Sequence, residues 1–350
     1  MTKRVCVIPG DDSAPEAVLP VLRLLRLMEL DLDYVELPAG DEGQARFGED
    51  FARVCREAID ACDTTLFGSS SGKTPALAHL RWGKKTYANV RPVRYIPGAR
   101  SPLRDAEGID FVIVRENMED LYVGIEGDVE ALRPAALTGR RGEPLPEHGR
   151  FAVKVITDAN SRRIAHFAFR LARQRRESGR PGRVTASCKY NMLPYTDGLF
   201  RQVVAQVATE YPDVEFRDYI VDDFARRIIA DAHDLDVVVL PNLYGDILSD
   251  EAAALVGGLG VAASGCYGDG FAYFEPVHGT APDIVGTGRI NPTATMLSSA
   301  MMLEYLGLGE AATSLRRAID DVYAEGSVLT PDQGGSATAD EFCAAVAKRL

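Results

Sequence analysis

The chain has 350 residues, of which 46% are hydrophobic and 26% are charged, as expected for a globular protein with a large core in one or two domains. The net charge of −12 argues against a nucleic-acid partner, and no apolar run approaches the length of a membrane span. Six scattered cysteines lack metal-ligand or disulfide spacing, and the N-terminus lacks an apolar signal segment, so we expect a cytoplasmic location.

Predicted strands and helices alternate along the chain. Apolar runs predict strands at 4–9, 33–40, 111–117, 151–157, 183–189 and 234–242. Apolar residues at helical spacing predict helices at 14–28, 49–62, 161–176, from near residue 246, at 294–306 and at 338–350. This alternation predicts an α/β fold with a largely parallel sheet.

The stretch GSSSGKT (68–74) follows a short apolar run and resembles a phosphate-binding P-loop. The P-loop motif needs four residues between its first glycine and the Gly-Lys pair, and this stretch has three. Pro75 follows directly, so no helix N-terminus is predicted where the phosphates would lie. A P-loop phosphotransferase is therefore disfavoured, and the loop either holds another anion or is an ordinary polar turn.

Residues 64–104, between Asp63 and Asp105, form a cationic window. It contains no carboxylate but eight basic residues, namely Lys73, Arg81, Lys84, Lys85, Arg91, Arg94, Arg100 and Arg104. In an acidic protein such a window predicts a pocket for a small polyanion, the alternative being a solvated basic face.

Asp246 and Asp250 lie four residues apart at the start of a predicted helix, so both carboxylates lie on one helix face. Two oxygen ligands on one face are typical of an Mg²⁺ or Mn²⁺ site. The alternative is that they interact favourably with the helix dipole.

Five long motifs resemble those of the β-decarboxylating dehydrogenases, the family of the isocitrate, homoisocitrate and isopropylmalate dehydrogenases. They are YANVRP (87–92), VRENMEDLYVG (114–124), LPNLYGDILSDEAAALVGGLG (240–260), FEPVHGTAPDIVGTGRINPTATMLSSAMMLEYLG (274–307) and TPDQGG (330–335). Similar segments occur in the same order from residue 4 to the C-terminus. The resemblance implies oxidation of a 3-substituted D-malate by NAD, with loss of the β-carboxylate as CO₂.

The same resemblance implies a two-domain α/β fold of the isocitrate/isopropylmalate dehydrogenase type, with a mixed sheet and no standard Rossmann motif. Residues 1–98 and 256–350 are expected to form the cofactor-binding domain, and residues 99–255 the domain for substrate, metal and dimerisation. GLGVAA (258–263) superficially fits the dinucleotide motif, but it follows a predicted helix and not a strand. The family's site is completed by a neighbouring subunit, so a homodimer or larger homo-oligomer is expected.

Residue roles are carried over from the family by position. The resemblance makes Lys189 the base for the hydroxyl and Tyr122 the acid for the enol carbon, and it assigns the clamping of the malate carboxylates to Arg81, Arg91 and Arg115. Asp246 and Asp250 are expected to bind Mg²⁺ or Mn²⁺ together with Asp222 of the neighbouring subunit. The expected cofactor residues are Glu275, His278, Gly279, Asp283, Asn291 and Asn191. Asp283 stands where NAD-dependent members keep an acid, which would repel a 2′-phosphate, so NAD is expected over NADP.

Some positions depart from the family pattern. The first loop reads PGDDSAPE (9–16) where the family has roughly PGDGIGPE, and Tyr190 follows the lysine where a small residue is usual. In the segment that contacts the third substituent of the malate, no isocitrate, homoisocitrate or isopropylmalate signature is intact, because Pro75, Leu77 and Ala78 occupy the diagnostic positions.

Hydroxyl and cationic side chains of this segment, which can donate hydrogen bonds, predict an anionic third substituent. Beside an alkyl group the donors would lack partners, at a cost of roughly 1–3 kcal/mol each. The expected substituents are the carboxylates of isocitrate or homoisocitrate, or a phosphonate as in 3-phosphonomethylmalate. The alternatives are 3-isopropylmalate, with Leu77 lining the pocket, and a non-catalytic regulatory subunit, which the intact catalytic residues disfavour. The donors are Ser69, Ser70, Ser71, Lys73, Thr74 and His79.

Overall fold

The fold is described from a computed structural model that covers residues 2–350. Its strands are β1 (Lys3–Ile8), β2 (Leu32–Glu36), β3 (Thr64–Phe67), β4 (Ala88–Arg94), β5 (Asp110–Glu116), β6 (Glu126–Asp128), β7 (Arg150–Ala152), β8 (Arg183–Cys188), β9 (Glu215–Ile220), β10 (Val237–Leu240), β11 (Ala263–Tyr267) and β12 (Ala272–Pro276). Its α-helices are α1 (Ala14–Leu27), α2 (Gly40–Phe47), α3 (Phe51–Asp60), α4 (Asp158–Glu177), α5 (Thr196–Ala208), α6 (Val221–Ala230), α7 (Asn242–Leu255), α8 (Thr293–Tyr305), α9 (Gly309–Glu325) and α10 (Ala339–Ala347).

Ten strands form one mixed sheet in the order β2-β1-β3-β12-β11-β4-β5-β10-β8-β9. The pairings on both flanks are parallel, and the three central ones, from β12 through β11 and β4 to β5, are antiparallel. The apolar sequences of β1 and β10 fit this arrangement, because helices cover both faces of their flanks and their side chains are buried on both sides. The predicted mixed α/β sheet is confirmed.

The proposed division into residues 1–98 with 256–350 and residues 99–255 stays a prediction. β1, β2, β3, β11 and β12 come from the first set, and β5, β8, β9 and β10 from the second. β4 joins the two groups, and the sheet continues through it without a break.

Three predicted boundaries are wrong. The strand predicted at 33–40 ends at Glu36, and α2 begins at Gly40. The strand predicted at 151–157 is limited to β7, which pairs with β6 in a small separate sheet, and α4 begins at residue 158 with Thr157 as its N-cap. The helix predicted to start near Asp246 begins at Asn242, directly after Pro241. Residues 258–263 follow helix α7, whereas a Rossmann motif would follow a strand, so the rejection of that motif agrees with the structure. Across residues 2–350, no helix combines the length and the apolar composition needed to cross a membrane.

Candidate active site

Two neighbouring central strands carry two of the predicted clamp arginines. β4 and β5 are antiparallel, with Asn89 opposite Arg115 and Arg91 opposite Ile113. Because strand side chains alternate between faces, Arg91 and Arg115 lie on the same face of the sheet, the face covered by α7. Both are largely buried, with 8% and 2% of their surface exposed.

Helix α7 brings both predicted metal-binding carboxylates to these arginines. Asp246 forms ion pairs with Arg115 and, at 3.3 Å, with Arg91 Nη1. The same Arg91 nitrogen lies 3.3 Å from Asp250 Oδ1 and donates to Ser249 Oγ at 2.6 Å. The two carboxylates therefore converge on one point, as two ligands of a single cation must.

The charges in this cluster shift its pKa values. Burial opposes ionisation of Asp246, but Arg115, Tyr122 and Arg91 together hold its pKa below the usual value. Burial, followed by the neighbouring Asp246 charge, raises the pKa of Asp250 although Arg91 opposes it. Burial and then the charge of Arg91 lower the pKa of Arg115 to about 10, so Arg115 stays charged at neutral pH.

Tyr122 lies in the same cluster. It follows β5 in a short 3₁₀ turn (Leu121–Val123), and its hydroxyl donates to Asp246 Oδ2 at 2.5 Å. Its ring stacks under the Arg115 guanidinium, with 5.1 Å between the guanidinium carbon and the ring centroid. Burial, and then the hydrogen bond to Asp246, raise the pKa of this phenol, so it holds its proton at neutral pH.

Arg81 completes the arginine set from another element. It lies in one turn of π-helix (His79–Gly83), a form often found at functional sites. Its Nε is buried without a hydrogen-bond partner. Burial opposes its charge, but Tyr273 and Glu275 raise its pKa, and the Arg81 charge also acts on Asp246. A buried guanidinium with an unused donor suits an anionic substrate group.

Lys189 and Asp222 lie together but apart from this cluster. Lys189 follows β8, where its backbone N–H donates to buried Asp197 at 2.7 Å, and its ammonium forms an ion pair with Asp222 at the start of α6. Within residues 2–350, no three potential metal-binding side chains come together in one subunit. Asp222 is therefore not beside Asp246 and Asp250 in a single chain.

The residues predicted to hold the cofactor lie along β12 and the segment that follows it. Glu275 is near the end of β12, and burial raises its pKa although Arg81, Arg91 and Arg115 oppose the shift. His278 is half-buried, with its Nε2 atom enclosed and unpartnered and its Nδ1 2.9 Å from Gly279 O.

The four other predicted cofactor positions differ in how accessible they are. Gly279, Asp283 and, near Lys189, Asn191 are exposed. Asn291 is buried, and its side chain donates to Tyr323 and Asp332, so its amide N–H groups already have partners within the chain.

The donors predicted to bind an anionic substituent already have partners. Ser70, Ser71 and Thr74 bind the Asp11 carboxylate, and Ser69 Oγ donates to His278 O. Lys73 pairs with Asp12 and Asp41, and His79 pairs with Asp60. Leu77 is partly buried against an apolar cluster of β1, β3 and α3. The premise that these donors would lack partners beside an alkyl group is therefore wrong.

Three residues of the site were not singled out from the sequence. Asn242 Oδ1 accepts from Arg115 Nε at 3.0 Å and from Nη2 at 2.7 Å, and Ser249 accepts from Arg91. Both belong to the LPNLYGDILSD motif on the helix face of Asp246, where the signal was present. Asp11 lies about sixty residues from the loop that it binds, and no local pattern indicates that contact.

Comparison with known proteins accounts for this arrangement. The profile of the family described as "Isocitrate/isopropylmalate dehydrogenase" matches residues 4–346. A 3-isopropylmalate/3-methylmalate dehydrogenase of Methanocaldococcus jannaschii is 43% identical, over 99% of this chain and 98% of its own length. An isocitrate/homoisocitrate dehydrogenase of Thermus thermophilus is 42% identical, over 100% of this chain and 99% of its own.

A solved structure leads to the same family. The isocitrate dehydrogenase of Methylococcus capsulatus superposes with a TM-score of 0.86 at 33% identity, covering 99% of both chains. The profile match, the two relatives and this superposition agree over nearly the whole length. The chain belongs to the isocitrate/isopropylmalate dehydrogenase family and is one of its oxidatively decarboxylating dehydrogenases.

Proposed function

We propose that the protein catalyses the NAD-dependent oxidative decarboxylation of a 3-substituted D-malate whose third substituent is a small alkyl group. The observation that carries the choice of substituent is the pairing of Ser70, Ser71 and Thr74 with Asp11, and of Lys73 with Asp12 and Asp41. An added anion would face these carboxylates instead of free donors. The three diagnostic positions nearby, Pro75, Leu77 and Ala78, are all apolar.

The arginine cluster is assigned to the two carboxylates of the malate. Arg81, Arg91 and Arg115 offer planar donor forks suited to carboxylates. Arg91 and Arg115 are charged and buried but already share Asp246, so substrate must compete with that pairing or lie against its open side. Three arginines, two substrate carboxylates and the two carboxylates of Asp246 and Asp250 leave the site without excess positive charge, which a bound divalent cation would supply to stabilise negative charge formed during decarboxylation.

Lys189 and Tyr122 are assigned to the two proton transfers. Lys189 takes the hydroxyl proton during oxidation, because an amine can act as a general base whereas a guanidinium stays protonated in proteins. After CO₂ has left, the Tyr122 hydroxyl gives its proton to the substrate carbon. Its raised pKa keeps that proton available, and Asp246 orients the hydroxyl at 2.5 Å.

Asp246 and Asp250 fit a divalent cation, because their oxygens converge and both are hard ligands. Asp222 is proposed as a third ligand, supplied by a second subunit. Mg²⁺ or Mn²⁺ held there would act as a Lewis acid on the substrate oxygens.

For the cofactor, the exposed Asp283 supports NAD over NADP, since its carboxylate would repel a 2′-phosphate. We expect Asp283→Lys to reduce the preference for NAD over NADP, measured as the ratio of the two kcat/KM values. A wild-type preference for NADP would contradict this assignment of the adenosine end.

An anionic third substituent is the second candidate, because the Thermus relative named isocitrate/homoisocitrate dehydrogenase is 42% identical. The deciding experiment measures kcat/KM for 3-methylmalate, 3-isopropylmalate, isocitrate, homoisocitrate and 3-phosphonomethylmalate with NAD and Mg²⁺. We expect an alkylmalate to lead by about tenfold or more. A lead of that size for any of the three acids would overturn the alkyl assignment.

A further inference from the structure

The loop that resembles a P-loop does surround an anion, but the anion belongs to the chain. Asp11 Oδ2 accepts from the backbone N–H groups of Ser71 at 2.8 Å, Lys73 at 3.1 Å and Thr74 at 3.3 Å. The Ser70 hydroxyl adds a bond of 2.6 Å, and the Thr74 hydroxyl donates to Oδ1. Successive N–H groups that converge in this way form a concave anion site.

The Asp11 carboxylate is held without a cation. It is 1% exposed, and across residues 2–350 no lysine, arginine or histidine forms an ion pair with it. The nearby Lys73 ammonium binds Asp12 and Asp41 instead. A buried charge is tolerated only when hydrogen bonds satisfy it, so the folded form of this loop depends on a carboxylate at this position.

The residues next to Asp11 bind the segment that follows β12. Ser13 N donates to Thr280 O at 3.0 Å, and Ser13 Oγ donates to Ala281 O at 2.6 Å. From the other side, the Asp11 N–H donates to Ser69 O at 2.8 Å, and Ser69 Oγ donates to His278 O. Residues 11–13 thus lie between the 69–74 loop and the 278–281 segment and bind both.

The chain keeps this connection although its first loop departs from the family pattern. Asp12 stands where the family has a glycine, with a φ of 53°, a left-handed conformation that aspartate tolerates better than most residues. Hydrogen bonds from Thr280 and Lys73 lower the pKa of Asp12, although its slight burial opposes this shift. The substitution therefore adds further contacts between the same two segments.

We infer that Asp11 is a positioning residue that fixes the 69–74 loop and the 278–281 segment relative to each other. The inference rests on the proposed function, in which the loop contacts the third substituent of the malate and the segment contacts the adenosine of NAD. Removing its carboxylate frees the loop donors and loosens both segments. Substrate and NAD binding then weaken together.

Chemical rescue tests this role. Asp11→Ala leaves a gap of the size of a carboxylate, which formate can enter, whereas Asp11→Asn fills the gap with a neutral amide. In Asp11→Ala we expect the NAD Kd and the malate KM each to rise about tenfold, and about 50 mM formate, but not chloride, to recover much of both losses. Asp11→Asn should show the losses without rescue, and Asp41→Ala, which removes an exposed carboxylate nearby, should not respond to formate.

Two results would overturn the inference: wild-type NAD affinity in Asp11→Ala, or equal responses of Asp11→Ala to formate and chloride. If this variant does not fold, amide exchange in the wild type decides, because Ser71, Lys73 and Thr74 should exchange slowly although Ser71 and Lys73 are exposed. Fast exchange at all three would refute the carboxylate-centred loop. NAD binding and amide exchange do not require turnover, so an inactive enzyme on every malate would sink the proposed function alone.

Discussion

The basic residues of the site differ in whether they can exchange a proton. Arg115 keeps its charge because a pKa of about 10 is still well above neutrality, and it is held by Asp246 and Asn242. Lys189 pairs with a single exposed carboxylate, that of Asp222, and carries a primary amine, a group that can serve as a general base, whereas a guanidinium is not deprotonated in proteins. The arginines therefore suit binding, and the lysine suits base catalysis.

Lys189→Met tests the base. We expect kcat to fall by about 10²–10⁴, because the group that accepts the hydroxyl proton is lost, with little change in the NAD Kd. Lys348→Met, at an exposed position near the C-terminus, provides the matched control and should retain activity. Turnover within a few-fold of wild type in Lys189→Met would remove Lys189 from the mechanism.

Glu116 gives the stability a pH dependence. This buried carboxyl accepts from the backbone N–H groups of Met118 and Glu119, and burial raises its pKa from 4.5 to about 7. Below the lower value both the folded and the unfolded chain hold the proton. Between the two values only the folded chain holds it, so the stabilisation is lost as pH rises through this range.

Glu116→Gln should remove this dependence, because a neutral amide does not titrate in this range. Met118 and Glu119 donate to different oxygens of Glu116, so the variant keeps one of the two backbone hydrogen bonds and loses a pH-independent amount of stability. We expect the wild type to lose up to about 3 kcal/mol of unfolding free energy, relative to the variant, between about pH 4.5 and 7. Urea unfolding at several pH values measures the difference, with Glu310→Gln, an exposed acid, as control. Parallel curves for wild type and Glu116→Gln would show that Glu116 does not titrate in this range.

At the scale of elements, helix α7 positions most of the carboxylate–arginine cluster. One of its faces carries Asn242, Asp246, Ser249 and Asp250, all bonded to Arg91 or Arg115. Gly245 lets the helix approach β5 closely, because a Cβ added there would lie 2.6 Å from Arg115 Cγ and 2.7 Å from its Cβ. The position of the clamp therefore depends on a residue that makes no polar contact with it.

Gly245→Ala should push α7 away from Arg115. We expect a loss of about 1–3 kcal/mol in unfolding free energy and a raised KM for the malate. Gly198→Ala in α5 is the matched control, because its added Cβ meets only Leu193 O at 4.0 Å. That change should stabilise the protein by about 0.5–1 kcal/mol with KM unchanged. An unchanged KM in Gly245→Ala would contradict the assigned role of α7.

Sequence patterns predicted the secondary-structure elements more accurately than they predicted the side-chain contacts between those elements. β1 and β10 were predictable because each contains a run of four buried apolar residues, and the placement of Asp246 and Asp250 on one helix face followed from helical spacing. The start of α7 was misplaced because its first turn is rich in buried polar and small residues, such as Asn242 and Gly245, whose role is to contact Arg115. The binding of the serine loop to Asp11 joins distant segments, and no local rule predicts it.

At the scale of the whole molecule, the residues that act together in the proposed mechanism lie in two separate groups within one subunit. Lys189 and Asp222 form one group, and Asp246 with Tyr122 forms part of another. Exposed apolar side chains occur on or beside the same elements: Tyr195 (92% exposed) after Lys189, Ile229 (51%) on α6 and Ile247 (58%) on α7. The second subunit proposed above would cover these side chains.

Mixing two inactive variants tests whether each site draws on two subunits. Lys189→Met and Asp246→Asn should each be inactive alone. In a dimer with one copy of each, the Asp246 of the first copy meets the Lys189 of the second, so one of the two sites is intact. Random pairing makes half of all dimers mixed, so co-refolding equal amounts should restore about a quarter of wild-type activity. Mixing the folded variants without subunit exchange is the control and should restore none. If co-refolded mixed dimers, confirmed by differently tagged chains, stay inactive, Lys189 and Asp246 act within one chain, and the two groups must meet by a movement inside the subunit.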